Sequence, residues 1–132
     1  MSAQRPTIFV TRRLPPAVTE RLVASYDARL NEDDQPLSED DIQAGLAGAD
    51  GLVVASGITW DAARIRTLPQ SVKILTTFSV GYDHIDLDAA RERGLAVGNT
   101  PEVLTEAVAD IAMLCLLGAA RRAVEAERML RE

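Results

Sequence analysis

The sequence predicts an α/β protein built on a parallel sheet. Three observations carry this reading. Apolar runs of strand length alternate with helical patterns along most of the chain, the run from Val72 is near-continuously apolar, and helix-capping residues recur between the runs. At 132 residues and 47% apolar content, the chain can bury one core of ordinary size.

TIFVT from Thr7 is rich in β-branched residues and reads as the first strand. Pro15 and Pro16 suit a helix start, and Val18, Leu22 and Val23 form an apolar stripe behind them. DARLN from Asp27 is a second strand, followed by an acidic NEDDQ loop. Ser38 with Asp41 three residues on resembles a capping box, opening a helix that turns Ile42 and Leu46 inward. DGLVVAS from Asp50 is a buried strand, Thr59 or Asp61 starts a third helix through Ile65 and Leu68, and VKILTTF is the fourth strand. Asp86 then caps a short helix, LDAARER, which Gly94 closes before a fifth strand, LAVGN.

From Pro101 the pattern predicts one helix of about 30 residues, roughly 45 Å long, with Thr100 as N-cap and Pro101 in its first turn. Between Ala107 and Ala120 only Asp110 is charged, so this helix needs protein cover on most sides. Five short β-α units are too few to supply it. The helical pattern continues to Arg131 and Glu132, and the chain is expected to be the front part of a longer protein: a sheet domain over residues 1–100 and a long helix over 101–132.

A net charge of −6 with scattered arginines argues against nucleic acid as a partner. The longest uncharged apolar run, Ile111 to Ala120, is half a membrane span, and the TIFV run is too short for a signal peptide. The one cysteine, Cys115, is expected to be a buried thiol in an apolar helix, and no disulfide within the chain is possible, which suits a soluble cytoplasmic protein.

In an open parallel sheet, ligands bind beyond the carboxyl ends of the strands, so TRRLPP, VASGIT, FSVGYDHID and GNTP are the loops that matter. Straight after the fourth strand, Ser79, Val80 and Gly81 offer successive backbone N–H groups. Such a run suits a carboxylate, or it is a strand-to-helix turn in which Gly81 serves only the backbone. Gly45, Gly48 and Gly51 are spaced G-x-x-G-x-x-G and precede a strand, so they are not a dinucleotide fingerprint; a true G-x-G-x-x-G is absent. No metal-ligand cluster is evident. Asp83 and Asp86 read as solvated and capping residues, and Arg12 and Arg13 as a solvated pair. A signalling receiver is excluded, because it needs acids after the first strand and an aspartate after the third. Flavin binding is unsupported by the first loop.

From Thr76 to Arg122, the run TTFSVGYDHIDLDAARERGLAVGNTPEVLTEAVADIAMLCLLGAARR resembles the D-isomer-specific 2-hydroxyacid dehydrogenases, the glyoxylate and hydroxypyruvate reductases most closely. SVGYDHID, GNTP and TEAVADIA are its most specific parts. The preceding β-α units also fit that family's flavodoxin-like substrate domain, and the long helix would lead towards a Rossmann domain missing from this chain. The resemblance implies that the backbone amides of Val80 and Gly81, with Ser79 beside them, hold the substrate carboxylate. It implies that Thr105 contacts the cofactor and that Ser56 and Gly57 border the substrate pocket. His84 is the sole histidine, and by pKa alone a tempting general acid. The family pattern makes it structural and assigns the catalytic histidine, arginine and carboxylate to later sequence.

The implied activity is reduction of a short 2-oxo acid, glyoxylate or hydroxypyruvate, to the D-2-hydroxy acid with NAD or NADP as cofactor, in a homodimeric parent enzyme. The 132 residues alone are expected to be inactive and to bind no cofactor tightly. The alternative is a non-enzymatic module that dimerises or docks through its apolar helix.

Overall fold

The computed structural model describes residues 5–132 and divides into two compact units, Met1–Pro101 and Glu102–Glu132. In the first unit, strands β1 (Thr7–Val10), β2 (Asp27–Leu30), β3 (Gly51–Val54), β4 (Ile74–Thr77) and β5 (Ala96–Gly98) form one parallel sheet in the order β2-β1-β3-β4-β5. The helices between them are α1 (Pro16–Ser25), α2 (Glu39–Leu46), α3 (Ala62–Thr67) and α4 (Leu87–Arg93). The strand order reverses direction between β1 and β3. Right-handed crossovers, the form that parallel connections take, then place α1 on one face and α2 to α4 on the other.

The core agrees with that division. Phe9, Leu52, Val54 and Leu75 from the sheet pack with Ile42 and Leu46 of α2, Ile65 of α3 and Ala89 and Ala90 of α4, and α1 adds nothing to this cluster. The stripe expected on α1 is a correction: Val18 and Val23 are exposed and Leu22 is only half-buried, because the helix lies against the edge strand β2. On β4, likewise, Leu75 and Thr77 are buried while Ile74 is exposed.

Local chemistry sets the helix ends. The Ser38 side chain accepts from the Asp41 amide while the Asp41 carboxylate accepts from the Ser38 amide, a complete capping box, and the Ser38 hydroxyl, with its amide second, holds the Asp41 carboxyl below its ordinary value. Asp61, not Thr59, caps α3 through the Arg64 amide, and Asp86 caps α4 through the Ala89 amide. Gly94 closes α4 in the left-handed conformation at φ 71°. Of the GLAGADG glycines, Gly45 and Gly51 serve packing and Gly48 a left-handed turn at φ 69°: a Cβ on Gly45 would lie 2.7 Å from Cδ2 of the buried Phe9 ring.

Arg12 and Arg13 are not a freely solvated pair. Arg12 donates through Nε and Nη2 to the Asp34 carboxylate at 2.7 and 3.0 Å, the Arg13 amide donates to Asp34 at 2.9 Å, and Arg13 Nε donates to the Glu32 carbonyl at 3.0 Å. The loops after β1 and β2 are thereby clamped together.

The second unit corrects the long helix. It contains α5 (Thr105–Ala120) and α6 (Ala123–Arg131), separated at Arg122, whose φ of 49° lies in the left-handed region. The break falls where the nearly all-apolar sequence gives way to a charged, amphipathic one. Thr100 and Pro101 do not start the helix either. Residues 101–104 form turns with Glu102 at φ 64°, and the Thr100 amide is used by the Ser79 carbonyl instead. Cys115 is exposed rather than buried, because α5 is exposed nearly all along its length. Among the described residues no helix is long and apolar enough to cross a membrane.

Two outcomes test these local interactions. Ser38→Ala removes one half of the capping box and should lower unfolding free energy in urea by about 1 kcal/mol. Asp34 should titrate at about 2, against an ordinary 3.8, first because Arg12 hydrogen-bonds its charged form and then because the Arg13 amide does. A depressed carboxyl stabilises the fold above its unfolded value, and that contribution is lost as pH falls through about 2. Carboxyl carbon NMR should show the depressed midpoint moving up towards the ordinary value in Arg12→Ala.

Candidate functional site

The parallel register sets β3 and β4 side by side, with Val54 opposite Thr77. Both strands end there, so Ser56 and Ser79 each lie two residues past the sheet on adjacent loops at its carboxyl edge. The Phe78 amide donates to the Val54 carbonyl at 2.7 Å, extending the ladder one step before the chain leaves it.

From Ser79 to Gly81 the backbone is held by its carbonyls. The Ser79 carbonyl accepts from the Thr100 amide at 3.0 Å, the Val80 carbonyl from Asn99 Nδ2 at 2.8 Å, and the Gly81 carbonyl from Ser79 Oγ at 2.6 Å. In a planar trans peptide the C=O and the following N–H point in opposite directions. Each of these bonds therefore aims one amide away from the protein: Val80, Gly81 and Tyr82 in turn. Among the described residues, no hydrogen bond uses the amides of Ser79, Val80 or Gly81. Ser79 and Val80 are half-buried and Gly81 is exposed, so the amides are within reach of a ligand. Successive unpaired N–H groups of this kind present a concentrated partial positive charge to an anion.

The far end of the loop is anchored by Trp60. Its amide donates to the His84 carbonyl at 2.7 Å and its carbonyl accepts from the Asp86 amide at 2.9 Å, forming a parallel bridge between Trp60 and Ile85. The Trp60 side chain is 1% exposed, which makes this anchor part of the core. His84 Nε2 lies 3.0 Å from Thr77 Oγ1, so the sole histidine is engaged with the strand end. Asp86 is a cap, as its position suggested, while Asp83 is exposed and its Oδ2 lies 3.4 Å from where a Gly81 Cβ would stand.

Ser56 and Gly57 are exposed on the loop after β3. Gly57 has φ 117°, a conformation that side-chain-bearing residues rarely adopt, and it helps line an open hollow of about 390 Å³ with Ile58, Thr59, Asp61 and Arg64. Thr105 is the exposed first residue of α5 in the second unit, where it borders a separate hollow with Glu102, Val103 and Glu106.

Three residues of the loop's support were not singled out from the sequence: Thr77, Asn99 and Trp60. Asn99 stands in GNTP, a loop already placed at the ligand edge, but nothing local says that its side chain reaches the Val80 carbonyl. Trp60 looks like an ordinary helix-flanking residue until its bridge to Ile85 brings it to the loop, and Thr77 like an ordinary strand end until its hydroxyl meets Ser79 and His84.

The family model for D-isomer specific 2-hydroxyacid dehydrogenase, catalytic domain, matches residues 8–129. The chain is 41% identical over 124 residues to a glycerate dehydrogenase of Hyphomicrobium methylovorum, covering 94% of this chain and 38% of that protein. It is 36% identical over 121 residues to human glyoxylate reductase/hydroxypyruvate reductase, covering 90% and 37%. Among solved structures, an NADPH-dependent glyoxylate/hydroxypyruvate reductase from Sinorhizobium meliloti superposes with a TM-score of 0.77 at 35% identity, covering 96% of this chain and 39% of that one. The chain thus spans well under half the length of the relatives it matches. With the sheet order, the free-amide loop and the family match in agreement, this chain belongs to the D-isomer-specific 2-hydroxyacid dehydrogenases.

Proposed function

We propose that this chain is the substrate-anchoring part of an oxidoreductase that reduces a short 2-oxo acid, glyoxylate or hydroxypyruvate, to the D-2-hydroxy acid with NADH or NADPH. The observation that carries this reading is the loop Ser79–Gly81, whose carbonyls are taken by protein donors while its amides are not. The Val80 and Gly81 amides receive the substrate carboxylate, with Ser79 holding the turn and Ser56 and Gly57 bordering the pocket from the next loop. A carboxylate fixed at one end leaves the adjacent keto carbon in a defined position, so the chain contributes orientation.

The residues present do not form a dinucleotide cradle. The β1-to-α1 turn has no glycine, and Gly45, Gly48 and Gly51 lie in α2, after it and at the start of β3. Thr105 contributes one hydroxyl at a helix start towards the cofactor, and no step of the chemistry is assigned to these 132 residues. His84, whose Nε2 lies 3.0 Å from Thr77 Oγ1 at the strand end, is given a structural role. The exposed apolar residues of α5, Ile111, Leu114 and Leu117 among them, suit burial against the rest of a homodimeric cytoplasmic enzyme.

Titrating glyoxylate into the ¹⁵N-labelled chain should shift the Val80 and Gly81 amide resonances, while glycolaldehyde, which lacks the carboxylate, should leave them in place. Glyoxylate with NADPH should give no turnover above buffer, and saturable NADPH oxidation by the 132 residues would overturn the assignment of roles. Asp83 places a negative charge beside Gly81, so Asp83→Asn should tighten glyoxylate binding by about twofold at low salt, an effect that fades as ionic strength rises.

A further inference from the structure

We infer that His84 is a positioning residue: through Thr77 and Ser79 it sets the direction of a hydroxyl chain that aims the Tyr82 amide into the anion loop. This rests on the reading of Ser79–Gly81 as a carboxylate site and adds a third donor to it. Thr77 Oγ1 lies 3.0 Å from His84 Nε2 and 2.6 Å from Ser79 Oγ, and Ser79 Oγ lies 2.6 Å from the Gly81 carbonyl.

The direction follows from counting protons. A carbonyl only accepts, so the single Ser79 hydroxyl proton goes to Gly81. Ser79 Oγ must then accept from Thr77, which uses the single Thr77 proton. Thr77 Oγ1 is left as acceptor towards His84, and Nε2 must carry a proton. The neutral Nε2–H tautomer and the imidazolium both satisfy this. The Nδ1–H tautomer does not: it would draw the Thr77 proton to the ring, then the Ser79 proton to Thr77, and leave two lone-pair oxygens facing each other at 2.6 Å between Ser79 and Gly81.

The consequence reaches the amides because the Gly81 carbonyl and the Tyr82 N–H share one peptide plane. Thr100 and Asn99, both just past β5, hold the two preceding planes, and the Ser79 hydroxyl holds the third. Thr77 is 2% exposed, so no bulk water replaces a missing partner in the chain of hydroxyls. His84 is half-buried, and its backbone is tied by its carbonyl to the Trp60 amide.

His84 is the only histidine, so its ring resonances are assigned without ambiguity. Long-range ¹H–¹⁵N spectra of the ligand-free chain should show the neutral ring protonated at Nε2, and an Nδ1–H or averaged ring would overturn the relay. Glyoxylate affinity, followed by amide shifts, should fall by roughly tenfold in His84→Leu, in Thr77→Val and in Ser79→Ala, the upper end of what loss of one hydrogen bond in this partly exposed chain of hydroxyls costs. His84→Gln, which returns a donor near the Nε2 position, should recover affinity to within about threefold. The double variant T77V/S79A should bind no more weakly than S79A alone, because both interrupt one chain. Additive losses, or wild-type affinity in folded H84L and T77V, would sink the proposal. If the wild-type amides do not respond to glyoxylate, the carboxylate-site reading fails, and the tautomer, read without ligand, still decides the relay.

Discussion

The site depends on a division of labour within three peptide groups: their carbonyls are bound by the protein and their amides are left out. Buried backbone donors are nearly always paired, so a run of unpaired N–H groups is stable only where it faces solvent or a ligand. Here the supporting donors come from a backbone amide at Thr100, a side-chain amide at Asn99 and a hydroxyl at Ser79. A flexible turn would let the peptide planes rotate and average their dipoles. Fixing them from behind converts an ordinary strand-to-helix connection into a surface with a defined electrostatic sense.

That arrangement exists because the sheet is parallel. In β3, β4 and β5 all strands end at the same edge, which brings the GNTP segment after β5 beside the loop after β4. An antiparallel neighbour would have delivered the opposite end of its strand. The Trp60 bridge closes the loop from the β3 side, so the segment from Ser79 to Asp86 is gripped at both ends by strand-exit backbone from its two neighbours. Most of this stiffness is local to the C-terminal half of the sheet. By contrast, α1 packs only against an edge, and its exposed valines contribute little to the core.

The strands, the caps of α2 and α4 and the order of the β-α units were legible from the residues alone. Capping chemistry is short-range: Ser38 and Asp41, Asp86 and Ala89, and Gly94 each act within one helical turn, so sequence spacing specifies the geometry. The long helix was misread because an apolar pattern of helical period does not report a break in the backbone. Arg122 in the left-handed region and Glu102 before Thr105 interrupt a pattern that reads as continuous. The buried reading of Cys115 failed for a related reason: apolar surroundings in sequence imply burial only if something covers them.

By itself the sequence determined an α/β chain with its loops of interest at the carboxyl ends of the strands, and its motifs pointed to Val80 and Gly81 as the anchor. The first rests on neighbours in the chain and on periodicity, the second on the resemblance of SVGYDHID to the family pattern. Only the tertiary structure decided what holds this loop open, because Asn99 and Thr100 act on it across the sheet rather than along the chain. Hydrogen bonds between segments some 20 residues apart leave no local pattern to read. At Ser79 to Gly81, a turn that local chemistry left ambiguous becomes a set of aimed donors once the strands on either side are in place.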